Sequence, residues 1–360
     1  MDKQGLLFIP DISGFTRFVT GMEIEHSRAI IQRLLEVLID ANQLGLEISE
    51  VEGDAILFYR FGARPEMTEV YGQIERMFCD FHRQLRTYDQ RRLCQCEPCR
   101  TAVQLSLKVI THYGEFTGYN VKQFSKLIGK DVIVAHQLLK NDIAEHEYWL
   151  VTDELLAPEK PGHLREWMRW DASVKRTETG EIPFHYTQLA PLKSGIEPEP
   201  IPQLEPAEKE LVISVTRDYD VSYKRLFYTA GHIEFRHRWQ EGVRAAEEVD
   251  HFLPGLGSRC GITRTDGSTE VVVASSFVFE PDRDIEYSET DEGLTRTVRY
   301  TFGQLPEGHG RLTIDVFLRK DPALVNEFRR TELAGMEAAL QRSLVNLDAV
   351  LEEVAPPVDF

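Results

Sequence analysis

Apolar positions in the first sixty residues fall into three segments of two different patterns. Phe8 and Ile9 belong to an apolar strand that leads into Asp11. Ile24, Ile31, Leu34, Leu35 and Leu38 recur at three- and four-residue spacing, which predicts a helix with one apolar stripe. Ala55-Ile56-Leu57-Phe58-Tyr59 is a second buried strand, entered through the turn residues Gly53 and Asp54. Further on, LSLKVITHYGEFTGY reads as strand and turn, SKLIGKDVIVAHQLLKN as a helix, and WMRWDASVKR with IPFHYTQL as a strand pair.

Between Pro191 and Glu210 the pattern lapses into PLKSGIEPEPIPQLEPAEKE, with five prolines and no periodic apolar face, which predicts an acidic, semi-rigid linker. Alternation resumes in ELVISVTRDYDV. A helical region, VSYKRLFYTA and HRWQEGVRAAEEV, comes next, and then five strand-like runs punctuated by Asp-Gly, Pro-Asp and Glu-Gly turns. Leu324, Phe328, Met336, Leu340, Leu344, Leu347 and Leu351 share one face of a long closing helix started by Asp321 and Pro322. The expected fold class is therefore α+β in two domains, residues 1–190 and 211–354, joined by 191–210. No solenoid repeat is visible.

The chemistry-bearing segments are FIPDISGFTRF and SEVEGDAILFY, each with one aspartate, Asp11 or Asp54, at the end of an apolar strand. Either aspartate alone reads as a turn or cap residue. Two carboxylates on neighbouring strand ends suit a hard divalent cation held against phosphates. The pair, its order and the intervening helix resemble the catalytic domain of class III nucleotidyl cyclases, whose first strand ends in Asp-Ile-x-Gly-Phe-Thr and whose second hairpin carries Gly-Asp. The resemblance spans residues 4 to 155 and implies a ferredoxin-like domain. It makes Asp11 and Asp54 the catalytic metal ligands for Mg²⁺ or Mn²⁺, with the Ile12 carbonyl assisting and Gly14, Phe15 and Thr16 along the phosphates of a nucleoside triphosphate. It also implies a dimer, because such sites form between two domains, and the second chain is either a copy of this one or a different partner.

The helix after Gly129 departs from the family. Aligned on Gly129 and Ala135, the ribose-orienting Asn is Ile133 and the phosphate-stabilising Arg is Gln137. Ile offers no hydrogen bond and Gln no charge. Losing one preorganised donor to transition-state charge costs about a hundredfold to a thousandfold, so slow or absent cyclisation is expected unless Lys126, Lys130 or Lys140 substitutes. Those lysines read equally as a solvated helix face. By the same resemblance Glu50 holds the base-selecting position and leans toward guanine, its partner position being Lys126. A Glu50–Lys126 pair would close the base pocket to both purines.

Composition narrows the alternatives. With 42% hydrophobic and 28% charged residues the chain reads as soluble and globular, and a formal charge of −18 argues against nucleic acid or anionic membrane as a bulk partner. No apolar run reaches bilayer length and the amino terminus is a strand, so a cytoplasmic protein is expected. Cys94, Cys96 and Cys99 form CQCEPC, a density that suits structural Zn²⁺ in a reducing compartment. Cys79, His82 or, less directly, His112 would complete it, while three unrelated thiols or a redox-sensitive cluster remain open.

The order of strand, helices, antiparallel meander and long closing helix in the second domain resembles the START-like superfamily of helix-grip domains, also known as the polyketide cyclase and lipid-transport fold. That likeness implies an apolar cavity for a hydrophobic small molecule. Tyr223, Phe227, Trp239, Phe277, Phe279, Tyr300, Phe302 and Phe317 are candidate linings, and Arg236, His237 or Arg299 candidate polar anchors, although such residues also make ordinary cores. Two functions follow: a metal-dependent cyclase-like enzyme, or a nucleotide, metal or lipid sensor that works by binding alone.

Overall fold

β1 (Lys3–Ser13) is paired on both sides, which is why its apolar run is continuous: Leu6, Leu7, Phe8 and Ile9 are all buried. The computed structural model describes residues 3–20, 24–92, 97–156, 164–177, 180–249, 255–281 and 283–354. They divide into two units, one of Met1–Gln90 and Cys94–Glu199, the other of Arg91–Leu93 and Pro200–Phe360.

In the first unit β1 is followed by α1 (Phe15–Val19), α2 (Ile24–Asp40), β2 (Glu47–Glu52), β3 (Ala55–Phe61) and α3 (Met67–Arg91). Then come α4 (Glu97–Thr101), β4 (Ser106–Val121), β5 (Phe124–Ile128), α5 (Lys130–Leu139), β6 (Tyr148–Thr152), α6 (Asp153–Leu156), β7 (Trp170–Thr177) and β8 (Gly180–Gln188). The sheet order is β2-β3-β1-β4-β6-β8-β7, with β5 folded back on β4. Its β2-β3-β1-β4 part is all antiparallel, the order of a ferredoxin-like split βαβ. Alternation along β1 sends Leu7 and Ile9 into a core with Val132, Ala135 and Leu138 of α5. On α2 the stripe buries Ile31, Leu34 and Leu38, but Ile24 is exposed at the helix start.

The second unit contains β9 (Lys209–Tyr219), α7 (Tyr223–Gly231), α8 (Arg236–Trp239), β10 (Val243–Glu248), β11 (Arg259–Arg264) and β12 (Thr269–Glu280). It continues with β13 (Asp284–Asp291), β14 (Arg296–Gln304), β15 (Gly310–Arg319), α9 (Pro322–Thr331) and α10 (Leu333–Glu353). Seven antiparallel strands run β10-β11-β12-β13-β14-β15-β9, and α10 packs Leu344, Leu347 and Leu351 into their core. Two sequence expectations change here. VRAAEE, read as helix, is β10: Gly242, at φ 78, stops the helical turn, and the segment then pairs with Cys260–Arg264. The closing helix is broken at Glu332 (φ −121), beside Thr331, whose hydroxyl bonds back to the Glu327 carbonyl. Within the proline-rich stretch Ala190–Gly195 forms 3₁₀ turns, and Ile196 and Leu204 are buried.

Candidate functional site

The end of β1 brings Asp11 and Asp54 together. Pro10 has no N–H, and the β1–β3 ladder carries no pair at Ile9 and Pro10 before resuming at Asp11 opposite Ala55. Just beyond, the Ile12 N–H donates to the Asp54 carbonyl at 2.8 Å, which ties the two turns. Both turns need a left-handed residue and have one, Gly14 at φ 91 and Gly53 at φ 60. Ile12 is fully buried, Phe15 half-buried, and Gly14 and Thr16 exposed.

Lys108 of β4 lies directly across from Asp11 in register. Its ammonium is 3.3 Å from Asp11 Oδ1 and donates to the Leu139 carbonyl at 3.3 Å. Burial pushes the Asp11 carboxyl up to about 6; Lys108 pulls against that and the nearby Asp54 carboxylate adds to it. Asp54 is also raised by burial, against its own backbone N–H and Lys108. Two places along the ladder, Ser13 and Ser106 pair across strands, and both hydroxyls are buried without a hydrogen-bond partner among the described residues. Asp11 and Ser13 stand two places apart on one face of β1, and carboxyl and hydroxyl oxygens are the donor types a hard divalent cation takes.

A second acidic group sits on β2. Lys126 of β5 pairs with Glu50 through its Nζ. His136 of α5 lies 3.9 Å from Glu50 and 3.8 Å from Glu52, and donor atoms of these three residues fall within 4.8 Å of one another. Ile133 is exposed, and Gln137 Oε1 is buried without a hydrogen-bond partner among the described residues. Lys130 and Lys140 are exposed.

Of the cysteine motif, Cys94 and Cys96 lie outside the described residues. Cys99 is buried, with His26 Nδ1 of α2 3.4 Å from its sulfur. Two ligands of one tetrahedral zinc would stand about 3.5 Å apart, so thiol and imidazole fit such an ion. Cys79 is half-buried, its thiol pushed up by burial and Glu75. His82 is buried against Phe78 and Phe81, and burial, with Lys193 and Arg86, pushes it down to about 3. His112 is held 2.8 Å from the Thr152 hydroxyl and 3.2 Å from Asp131.

The second unit contains a half-open cavity of about 460 Å³. Phe227 and Phe277 line it, as does Arg236, whose guanidinium pairs with Glu289 of β13. Tyr223, Trp239, Tyr300 and Phe302 belong to the core, Phe279 is half exposed, and Phe317 lies under Lys209 and Arg299. His237 is exposed, and Arg299 pairs with Asp315 at 2.7 Å.

Sequence reading missed Lys108, His136, His26, Tyr287 and Glu289. Only Lys108 left a signal, a lone charge inside an apolar strand. The others become neighbours through register and helix packing, which no local spacing encodes.

Fold and site together define an α+β protein with a ferredoxin-like core and an acidic pair at its strand ends. The family described as "Protein of unknown function (DUF2652)" matches residues 31–148. The chain belongs to one family with the uncharacterized protein Rv2561/Rv2562 of Mycobacterium tuberculosis, to which it is 33% identical over 175 residues, covering 44% of this chain and 73% of that protein. Similar solved structures include the adenylyl cyclase CyaB from P. aeruginosa, with TM-score 0.40 and 13% identity over 52% of this chain and 94% of that one. The guanylate cyclase domain of RhGC from Catenaria anguillulae in complex with GTP gives TM-score 0.38 and 14% identity over 52% and 96%. A bacterial light-regulated adenylyl cyclase gives 0.38 and 15% over 51% and 90%. No helix among the described residues is long and apolar enough to cross a membrane.

Proposed function

We propose that this is a divergent class III nucleotidyl cyclase-like protein of the cytoplasm, which binds a divalent cation and a nucleoside triphosphate at Asp11 and Asp54 and turns the nucleotide over slowly or not at all. The observation that carries the reading is the convergence of Asp11 and Asp54, tied by the Ile12–Asp54 hydrogen bond, with both carboxyls raised by burial against Lys108, the Asp54 backbone N–H and, at Asp11, His146. The Asp11 and Asp54 carboxylates and the Ile12 carbonyl would hold Mg²⁺ or Mn²⁺, and Gly14, Phe15 and Thr16 would face the phosphates. Bound divalent ions would neutralise the triphosphate and acidify the attacking ribose hydroxyl. The shared site would lie in a homodimer or heterodimer. A structural Zn²⁺ on Cys94, Cys96 and Cys99 belongs to the same proposal, with His26 in place of Cys79, His82 or His112. So do the three-part division, 1–190, 191–210 and 211–354, and the START-like nature of the last part with its apolar ligand.

The Glu50–Lys126 pair and the exposed Ile133 favour the second reading, binding without turnover, because the base-reading carboxylate is engaged and Ile133 and Gln137 stand where the family has its Asn and Arg. Purified protein assayed with Mn²⁺ and each of the four nucleoside triphosphates, beside Asp54→Ala, separates the two. Cyclic product that vanishes in the variant establishes the enzyme. Asp54-dependent nucleotide binding without product establishes the sensor, and nucleotide binding indifferent to Asp54 overturns both.

A further inference from the structure

The cavity of the second unit has apolar walls, among them Phe227, Ile233, Leu256, Val272 and Phe277, and one polar spot. That spot is built from Arg236, Glu289 and Tyr287. Arg236 is 2% exposed; its guanidinium pairs with Glu289 through Nη2 and contacts the Cys260 sulfur at 3.8 Å through Nη1. Its third donor, Nε–H, is buried without a hydrogen-bond partner among the described residues, and so is the Tyr287 hydroxyl as a donor, its oxygen lying beside the Arg236 guanidinium. Tyr287 cannot readily turn away, because its ring is stacked on Tyr300 at 4.7 Å and on Phe302 at 6.0 Å. A buried donor left unsatisfied costs about 1–3 kcal/mol, so two of them on one cavity wall leave a place for an acceptor oxygen.

The charges say what kind of oxygen. Arg236 and Glu289 cancel, Arg259 is paired with Glu292, and the exposed acids Glu234 and Glu248 also border the cavity. A carboxylate or phosphate at this spot would face Glu289, and an ammonium would face the Arg236 guanidinium, so either charge upsets a pair that is already balanced. An uncharged acceptor does not.

We infer that the cavity takes an apolar, uncharged ligand whose single carbonyl-type oxygen accepts hydrogen bonds from Tyr287 Oη–H and Arg236 Nε–H. This rests on the reading of the second unit as a hydrophobic-ligand domain and adds the polarity and the recognition element. The volume is in the lower part of the range of small-molecule sites, about 300–1,000 Å³, which fits a compact aromatic or isoprenoid ketone better than a two-chain lipid.

Fluorescence titration of the full-length protein with prodan, a neutral naphthyl ketone, beside the anionic anilinonaphthalene sulfonate, tests it. Prodan is expected to bind more tightly than the sulfonate and to lose about tenfold in affinity in Tyr287→Phe, which removes one buried donor and keeps the ring. The double variant Arg236→Met with Glu289→Met, which leaves no buried charge unpaired, is expected to weaken prodan similarly. Ala274→Trp, which fills the cavity, should abolish binding of both dyes. Prodan binding that is blocked by Ala274→Trp yet unchanged in Tyr287→Phe and the double variant overturns the carbonyl assignment while the hydrophobic site survives. Tighter binding of the sulfonate at the same site overturns the charge argument. Absence of cavity-dependent binding by either dye overturns the ligand-domain reading itself.

Discussion

At the end of β1 two carboxyls, Asp11 and Asp54, share one ammonium, whereas in the second unit Arg236 and Glu289 match one for one. The first site is short of positive charge, and burial expresses that shortage by raising both carboxyls. The second is electrically closed, and its shortage is of acceptors for Arg236 Nε and Tyr287 Oη. Burial thus prepares one place for a cation and the other for a neutral oxygen, and the kind of group left unsatisfied distinguishes them better than polarity or pocket size.

Removing one charge from each site sharpens the contrast most. Asp54→Ala should lower Mn²⁺ affinity by about a hundredfold or more in calorimetric titration, because the remaining carboxyl is already half committed to Lys108. Wild-type affinity in the variant would remove the first half of the comparison. In the second unit Arg236→Met leaves Glu289 buried and alone, and should destabilise the fold by about 3–5 kcal/mol in urea unfolding. Adding Glu289→Met should restore most of that loss. A double variant as unstable as the single one would show that the ion pair is itself required for the fold and is more than a matched set of charges.

A third buried group shows how the first unit treats charge away from the acidic pair. His82 is neutral in the folded state, lowered to about 3 by burial and by Lys193 and Arg86. Between its unfolded value near 6.5 and pH 3 the unfolded chain binds a proton that the folded chain refuses. Its contribution is therefore complete above about pH 6.5 and is lost as pH falls, reaching about 2 kcal/mol at pH 5. His82→Phe should flatten the pH dependence of unfolding between pH 7 and 5. An unchanged slope would mean that water or a partner reaches Nε2 and that this histidine is not desolvated.

The same contrast explains what could be read in the chain. The acidic pair was legible because it is local: each Asp ends an apolar run and is followed or preceded by a glycine turn. The strand and helix periods named the elements, the ferredoxin-like arrangement was implied by the resemblance that the two motifs carry, and the order β2-β3-β1-β4 agrees with it. β10 was misread because VRAAEE has the composition of a helix and is held extended by pairing with β11. Glu289 and Tyr287 were missed because they look like ordinary members of DIEYSETD, and only the register of β13 against α8 and β12 makes them part of a site. Lys108 stood in plain view inside LSLKVI, but its meaning depends on facing Asp11.

Lys108 therefore gives the finest test of the comparison. Its ammonium does for Asp11 what a divalent cation would do, so the two compete for one carboxylate, and Lys108→Met should tighten Mn²⁺ binding by about tenfold. Removing it also lets the Asp11 carboxyl rise further, since Lys108, ahead of His146, is the main group that holds it down. Protons then compete with metal near neutrality, so the gain should be full at pH 8 and shrink toward pH 6. Competition by Lys108 predicts that pH dependence as well as the sign. If Lys108→Met instead leaves Mn²⁺ affinity unchanged and abolishes nucleotide binding, the ammonium serves the phosphates, and the first site carries its own positive charge for a ligand after all.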